Sequence, residues 1–284
     1  MTTDDDSTPA ADHAVALVLG AYLRYLRIRR GWKQKDAGLA LGCSVSTVSR
    51  LEQGVVFTRR HARALVRRHY GVSKGCARAV DHLLSVTNVA TQVGDIGPGW
   101  HDRLAVCEQQ ATAVVTYSAT VIPAPLRIPA YEQALVLAGA SAYSAPDRVP
   151  RRIAEGQVYS LLLDSSVLER PVGGPRVMTQ QLDHLLRLSW KGRIAILVVP
   201  TGAGAPAGDA FLSRLTLHGN WLYVRESLGV VYAPGVPALS ARDRLFDAVL
   251  SAALTVDQSH QQLVRAREHW RAQEQSDDIP PTAP

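Results

Sequence analysis

A chain of 284 residues is long enough for two domains, the larger of which can bury its own core. Its longest apolar stretches, such as Ile194 to Val199, fall far short of the ~20 residues needed to cross a bilayer, and the acidic start MTTDDDSTPA lacks the charge and apolar core of a secretory signal, so a cytoplasmic, nucleoid-associated protein without membrane contact is expected. The net charge of +6 hides an asymmetry: Gly20 to Arg78 holds 14 Lys or Arg against Asp36 and Glu52, a balance of +12 that leaves −6 for the rest, so one region alone carries a field able to attract a polyanion.

Residues 1–13 are polar, acidic and aperiodic, which predicts a disordered tail. Residues 14–93 read as helical, with breaks near Gly31, Gly42, Gly54 and Gly71, and predict an all-α domain of about five helices. The first is expected to be amphipathic, with Leu19, Leu23 and Leu26 on one side and arginines on the other. In QKDAGLALGCSVSTVSRLEQ, Gln34 to Gln53, the spacing suits two helices crossing over a short turn. Gly38 is expected at their closest approach and Gly42 in the turn, at positive φ. Ser44 is placed to cap the second helix and Val48 and Leu51 to face inward, which leaves Val45, Ser46, Ser49 and Arg50 outward near the end that enters a major groove. Glu52, an acid beside DNA, is expected to pair with Arg27 or another arginine of the first helix. Two or three of Arg59, Arg60, Arg63, Arg67 and Arg68 are expected to meet phosphates.

These residues carry a resemblance. Residues 19–54, with Gln34, Gly42, the TVSRLEQG ending and Gly54, resemble the repressor-type helix-turn-helix of the XRE (lambda repressor and Cro-like) family. The resemblance implies that Gln34 contacts a phosphate at the start of the second helix and that Val45, Ser46 and Ser49 approach base edges, with Arg50 at base or backbone. The candidate DNA-binding set is therefore Gln34, Ser44, Val45, Ser46, Thr47, Ser49 and Arg50. Val45 departs from the family, which often has Gln or Arg there. A valine can touch a thymine methyl but makes no bidentate pair.

GDIGPGW follows, and residues 94–99 read as a linker. Residues 100–273 are mixed: a helical or extended stretch to Tyr117, a turn at IPAPLRIP, a helix from Ala130 to Gly139, strands at Val158 to Leu163 and Arg193 to Val199, and weaker strands at Leu222 to Arg225 and Val230 to Tyr232. One helix begins near Arg176, another after Ser240, and a last one through Leu263 to Trp270 either packs back or forms a partner-facing arm. The expected fold is thus an all-α helix-turn-helix domain followed by a larger mixed α/β (α+β) domain, with 274–284 a second disordered tail.

The longer domain contains no GxSxG, HExxH, P-loop or paired Cys/His spacing, so neither catalysis nor a metal or other cofactor is expected. Cys43, Cys76 and Cys107 are too scattered for a disulfide framework and read as small, partly buried residues. The Gly202–Gly208 loop superficially suggests a dinucleotide loop, but its spacing is broken and Pro206 interrupts it. Asp164, Glu169, His184 and His218 are expected to be structural.

Residues 100–270, through WHDRLAVCEQQAT, IPAPLRIPAYEQAL, ERPVGGPRVMTQQLDHLL and IAILVVPTGAGAPAG, resemble the DUF5753 domain of actinobacterial regulators, which follows an XRE helix-turn-helix. The chain reads PAPLRI at Pro123 to Ile128, where that family has a PGLLQT-like turn. The resemblance implies a developmental or antibiotic-control regulator whose partner is a small DUF397 (BldB-like) protein, with a small-molecule ligand as the competing idea. Double-stranded DNA is the expected macromolecular partner, bound by a homodimer, since one reading head covers one half-site. The alternatives are an enzyme acting on a nucleotide-like ligand with an accessory DNA-binding domain, and an antitoxin-like sequestration partner.

Overall fold

A computed structural model describes residues 10–86, 92–139, 149–201, 211–227, 229–235 and 241–277. The Gly202–Gly208 loop lies outside the described residues, as do 1–9 and 278–284 of the two expected tails. The remaining tail residues are helical: α1 (Ala10–Arg29) opens the described chain and α11 (Val256–Asp277) closes it.

After α1 come α2 (Gln34–Leu41), α3 (Val45–Gln53), α4 (Arg59–Ala64) with a π-helical continuation at Leu65–His69, and α5 (Lys74–Ser85). Strand β1 (Val93–Asp95), helix α6 (Trp100–Gln110), strand β2 (Ala113–Ser118) and α7 (Pro129–Leu137) follow. Then come β3 (Val158–Asp164), a short α8 (Ser166–Glu169), α9 (Gly174–Trp190), β4 (Ala195–Val199), β5 (Phe211–Leu217), β6 (Asn220–Glu226), β7 (Val230–Pro234) and α10 (Ala241–Ala252). Hydrogen-bonded neighbours run in the orders β1-β7-β6-β5 and β2-β3-β4. This is the expected class: helices with a helix-turn-helix, then a mixed sheet with helices.

Two compact units divide the described residues, one from 1–113 and 214–237, the other from 114–213 and 238–284. In the first unit, β7 pairs antiparallel with both β1 and β6. The stretch read as a linker holds the end of β1 and a buried ion pair: Asp95 accepts from Arg103 Nε and Nη2, both at 2.7 Å, with the two side chains 1% and 0% exposed. Burial works against the Arg103 charge, yet the Asp95 hydrogen bonds hold the guanidinium above its ordinary value.

The first helix differs from expectation. Ala14 to Leu23 is a continuous buried run in which every residue, Gly20 included, is covered. Beyond it α1 is exposed at Arg24, Ile28 and Arg29. A helix buried all round must be packed on more than one side. Here α1 packs on α3 and α5 and also on α6, β1 and β7. Gln110 of α6 donates to the Ala21 carbonyl at 2.8 Å, and the Arg103 guanidinium lies 5.8 Å from the centre of the Tyr22 ring.

In the second unit, β3 and β4 pair in parallel through α9, the crossover helix. The last helix packs back: α11 lies on α9 and β4, and Trp270 Nε1 donates to the Leu168 carbonyl at 2.7 Å. Asp164, at the end of β3, accepts from Ser166 N at 2.9 Å and Thr201 Oγ1 at 3.2 Å, a turn-capping role.

Candidate nucleic-acid interface

Two glycines let α3 approach α1. A Cβ on Gly20 would lie 2.8 Å from the carbonyl oxygens of Leu51 and Glu52, and one on Gly54 would lie 2.9 Å from the α1 backbone at Ala16 and Leu17. Gly54 also ends α3 at φ 71°. Gly42 ends α2 at φ 67°, as its place in the turn requires. Gly38 opposes the turn itself, since its Cβ would come 2.8 Å from the Cys43 carbonyl oxygen. Val48 and Leu51 are 0% and 1% exposed and join α3 to a core that includes Leu19, Leu23, Ala37 and Leu65.

A buried polar clasp fixes the three helices in register. Arg27 Nε and Nη2 donate to Glu52 at 2.5 and 3.0 Å, and Arg27 Nη1 donates to the Trp32 carbonyl at 2.8 Å. Gln34 Nε2 donates to the same Glu52 carboxylate at 3.1 Å. The hydrogen bonds it donates to Glu52 push the Arg27 guanidinium above its ordinary value. Glu52 is therefore the structural acid expected, with Arg27 as its partner. Gln34, half-buried at the head of α2, is tied into this clasp, and one of its two amide protons is committed there.

On α3, Ser44 Oγ accepts from Thr47 N at 3.1 Å and lies 2.9 Å from Thr47 Oγ1, so both hydroxyls serve the helix cap. Ser49 accepts weakly from Gln53 Nε2 at 3.4 Å. Val45, Ser46 and Arg50 are exposed, and Ser49 is half-buried. The cap aims the first backbone N–H groups of α3, and its positive dipole end, toward the side that presents these residues.

The basic face is partly neutralised from within. Asp81 accepts from Arg63 Nε at 2.9 Å and Arg67 Nε at 2.8 Å, and Arg67 Nη2 pairs with it as well. Arg59 reaches the Val86 carbonyl at 3.5 Å, whereas Arg60 and Arg68 stand exposed. Counting charges only to Arg78 stops three residues short of Asp81, which hides this carboxylate. Arg30 stacks 5.0 Å over Trp32, and Trp32 meets the Tyr70 ring edge-on at 5.9 Å, so the corner between α1 and α2 is a cationic and aromatic surface.

Among the described residues no group of His, Cys, Asp or Glu is arranged to hold a metal ion, and no helix is long and apolar enough to cross a membrane. The three cysteines are free, with Cys43 and Cys76 half-buried and Cys107 buried.

Three helices clasped around Glu52, with a capped and exposed α3 on a basic surface, define a helix-turn-helix DNA-binding protein. The family model described as a helix-turn-helix domain matches residues 18–80. A second, described as a domain of unknown function (DUF5753), matches residues 101–265, more than half of the chain, which belongs to that family. No curated protein matches the chain.

Proposed function

We propose that this DNA-binding regulator is a sequence-specific, repressor-type protein acting in the cytoplasm, with no catalytic role, whose DUF5753 part binds a small protein or ligand that sets its occupancy on DNA. In this reading Val45, Ser46 and Ser49 approach base edges from α3, Arg50 meets base or backbone, and Gln34, Ser44 and Thr47 secure the helix against the phosphates. The observation that carries it is the double packing of α1. One side holds α3 through Gly20, Gly54 and the Arg27–Glu52 clasp, and the other holds α6 through Gln110 and Arg103. A displacement of α6, the first helix of the DUF5753 match, would thus bear directly on the helix that bears on α3. Two copies on a palindromic site would supply two half-sites, and a small DUF397-like protein is one candidate for the partner.

Genome-wide capture of DNA by the purified protein tests this reading. Wild type should enrich palindromic sites with an affinity that falls steeply with salt, and a Ser46→Ala/Arg50→Ala double variant should lose them. Equal, diffuse binding by both proteins would refute base reading by α3.

A further inference from the structure

The second unit contains a cleft of about 510 Å³ between α9 and α11, within the size range of small-molecule sites. Its apolar floor is Leu186 and Val264, and at its mouth stands Trp190, a large indole that is 86% exposed. Three permanent cations, Arg187, Lys191 and Arg267, line it against one carboxylate, Asp183. That carboxylate is a poor match for Arg267, which reaches it only at 3.5 Å through Nη1 and turns Nη2 toward Glu268 at 3.3 Å. The Nε–H of Arg267 is buried and has no hydrogen-bond partner among the described residues. Such an unpartnered donor costs free energy, so the Arg267 guanidinium is held by its neighbours less fully than its hydrogen-bonding capacity allows. An exposed flat aromatic, an apolar floor and an excess of cations with an unmet guanidinium donor together describe the complement of one chemical class.

We propose that this cleft binds a flat aromatic organic anion, its ring stacked on Trp190 and its carboxylate, sulfonate or phosphate held by Arg267 and Lys191. This deepens the proposed control of DNA occupancy and rests on that reading for its biological meaning, but binding itself does not depend on DNA. Titration of the full chain with 8-anilinonaphthalene-1-sulfonate tests it by fluorescence. Saturable one-to-one binding is expected. Lys191→Gln and Trp190→Ala, both at exposed positions where folding is not at risk, should each weaken it by about tenfold or more, the value of one charge-assisted hydrogen bond or stacked ring. The uncharged N-phenyl-1-naphthylamine should bind correspondingly more weakly than the sulfonate. Binding of the sulfonate that is unchanged in Lys191→Gln and Trp190→Ala, or matched by the uncharged amine, would overturn the assignment. Measuring DNA affinity with and without the sulfonate separates the two ideas: cleft binding that depends on Lys191 but leaves DNA affinity unchanged would support the site while removing the control reading.

Discussion

Glu52 offers a test of how the reading head is held together. Its side chain is 3% exposed and that of Arg27 10%, and the pair is joined by two hydrogen bonds, with Gln34 adding a third to the carboxylate. Replacing Glu52 by Ala would leave the Arg27 guanidinium buried with the Trp32 carbonyl as its remaining partner. Removing one member of a buried pair costs about 3–5 kcal/mol, against roughly 0–1 kcal/mol for an exposed pair. With a urea slope of about 1–3 kcal/mol per molar, even the lower figure moves the unfolding midpoint of the unit that holds Glu52 by about 1 M or more. The assay is urea unfolding followed by circular dichroism at the helix band, run on wild type, Glu52→Ala and the apolar double variant Arg27→Met/Glu52→Leu. The double variant should recover most of the loss, because it removes the stranded charge together with its partner. A midpoint for Glu52→Ala within about 0.3 M of wild type would refute the clasp as a stabilising element.

Two further outcomes follow from particular contacts. Gly20→Ala would gain about 1 kcal/mol of helix propensity but places a methyl 2.8 Å from two carbonyl oxygens of α3, so overpacking of about 1–3 kcal/mol should win; calorimetry should find a lower melting temperature and DNA binding should weaken, and a more stable variant would show that the crossing is looser than described. For Asp81, burial works to raise the carboxyl, but the hydrogen bonds from Arg67 and Arg63 outweigh it and hold the group below its ordinary value of 3.8. A carboxyl lowered in the folded state stabilises above the unfolded value and loses that contribution as pH falls through the folded one. Asp81→Asn should therefore flatten the fall of the urea midpoint below about pH 4, and an acid limb identical to wild type would count against the pairing.

The helix-turn-helix was legible because its constraints are local. A cap, a turn glycine and an inward pair sit within a few residues of one another, and Ser44, Gly42, Val48 and Leu51 all occupy the places that spacing assigns them. Strands with branched apolar runs, β3, β4, β6 and β7, were legible for the same reason. What escaped depends on distant partners. Strand β1 is three residues long and exists because β7 lies beside it, so the glycines around it read as a linker. The sequence AVALVLGAYL in α1 is apolar all round, a sign of burial on every side, yet three leucines at helical spacing make an amphipathic reading look sufficient. Asp81 was hidden because charge counting cannot tell which arginines a carboxylate will claim. The α9–α11 cleft brings Lys191 and Arg267 together from segments far apart in sequence, which no spacing rule anticipates.

The burial of α1 has a practical meaning for anyone who would rebuild this protein. Many DNA-binding heads are treated as cassettes, cut at a linker and joined to new effectors. Here a fragment ending at Val93 would carry α1 away from α6 and β7, baring an apolar strip along the middle of its own longest helix. Such a strip invites association between copies. A chimera would have to bring α6 and the β1–β7 pair along with the head, so the seam for exchange lies deeper in the chain than its glycines advertise.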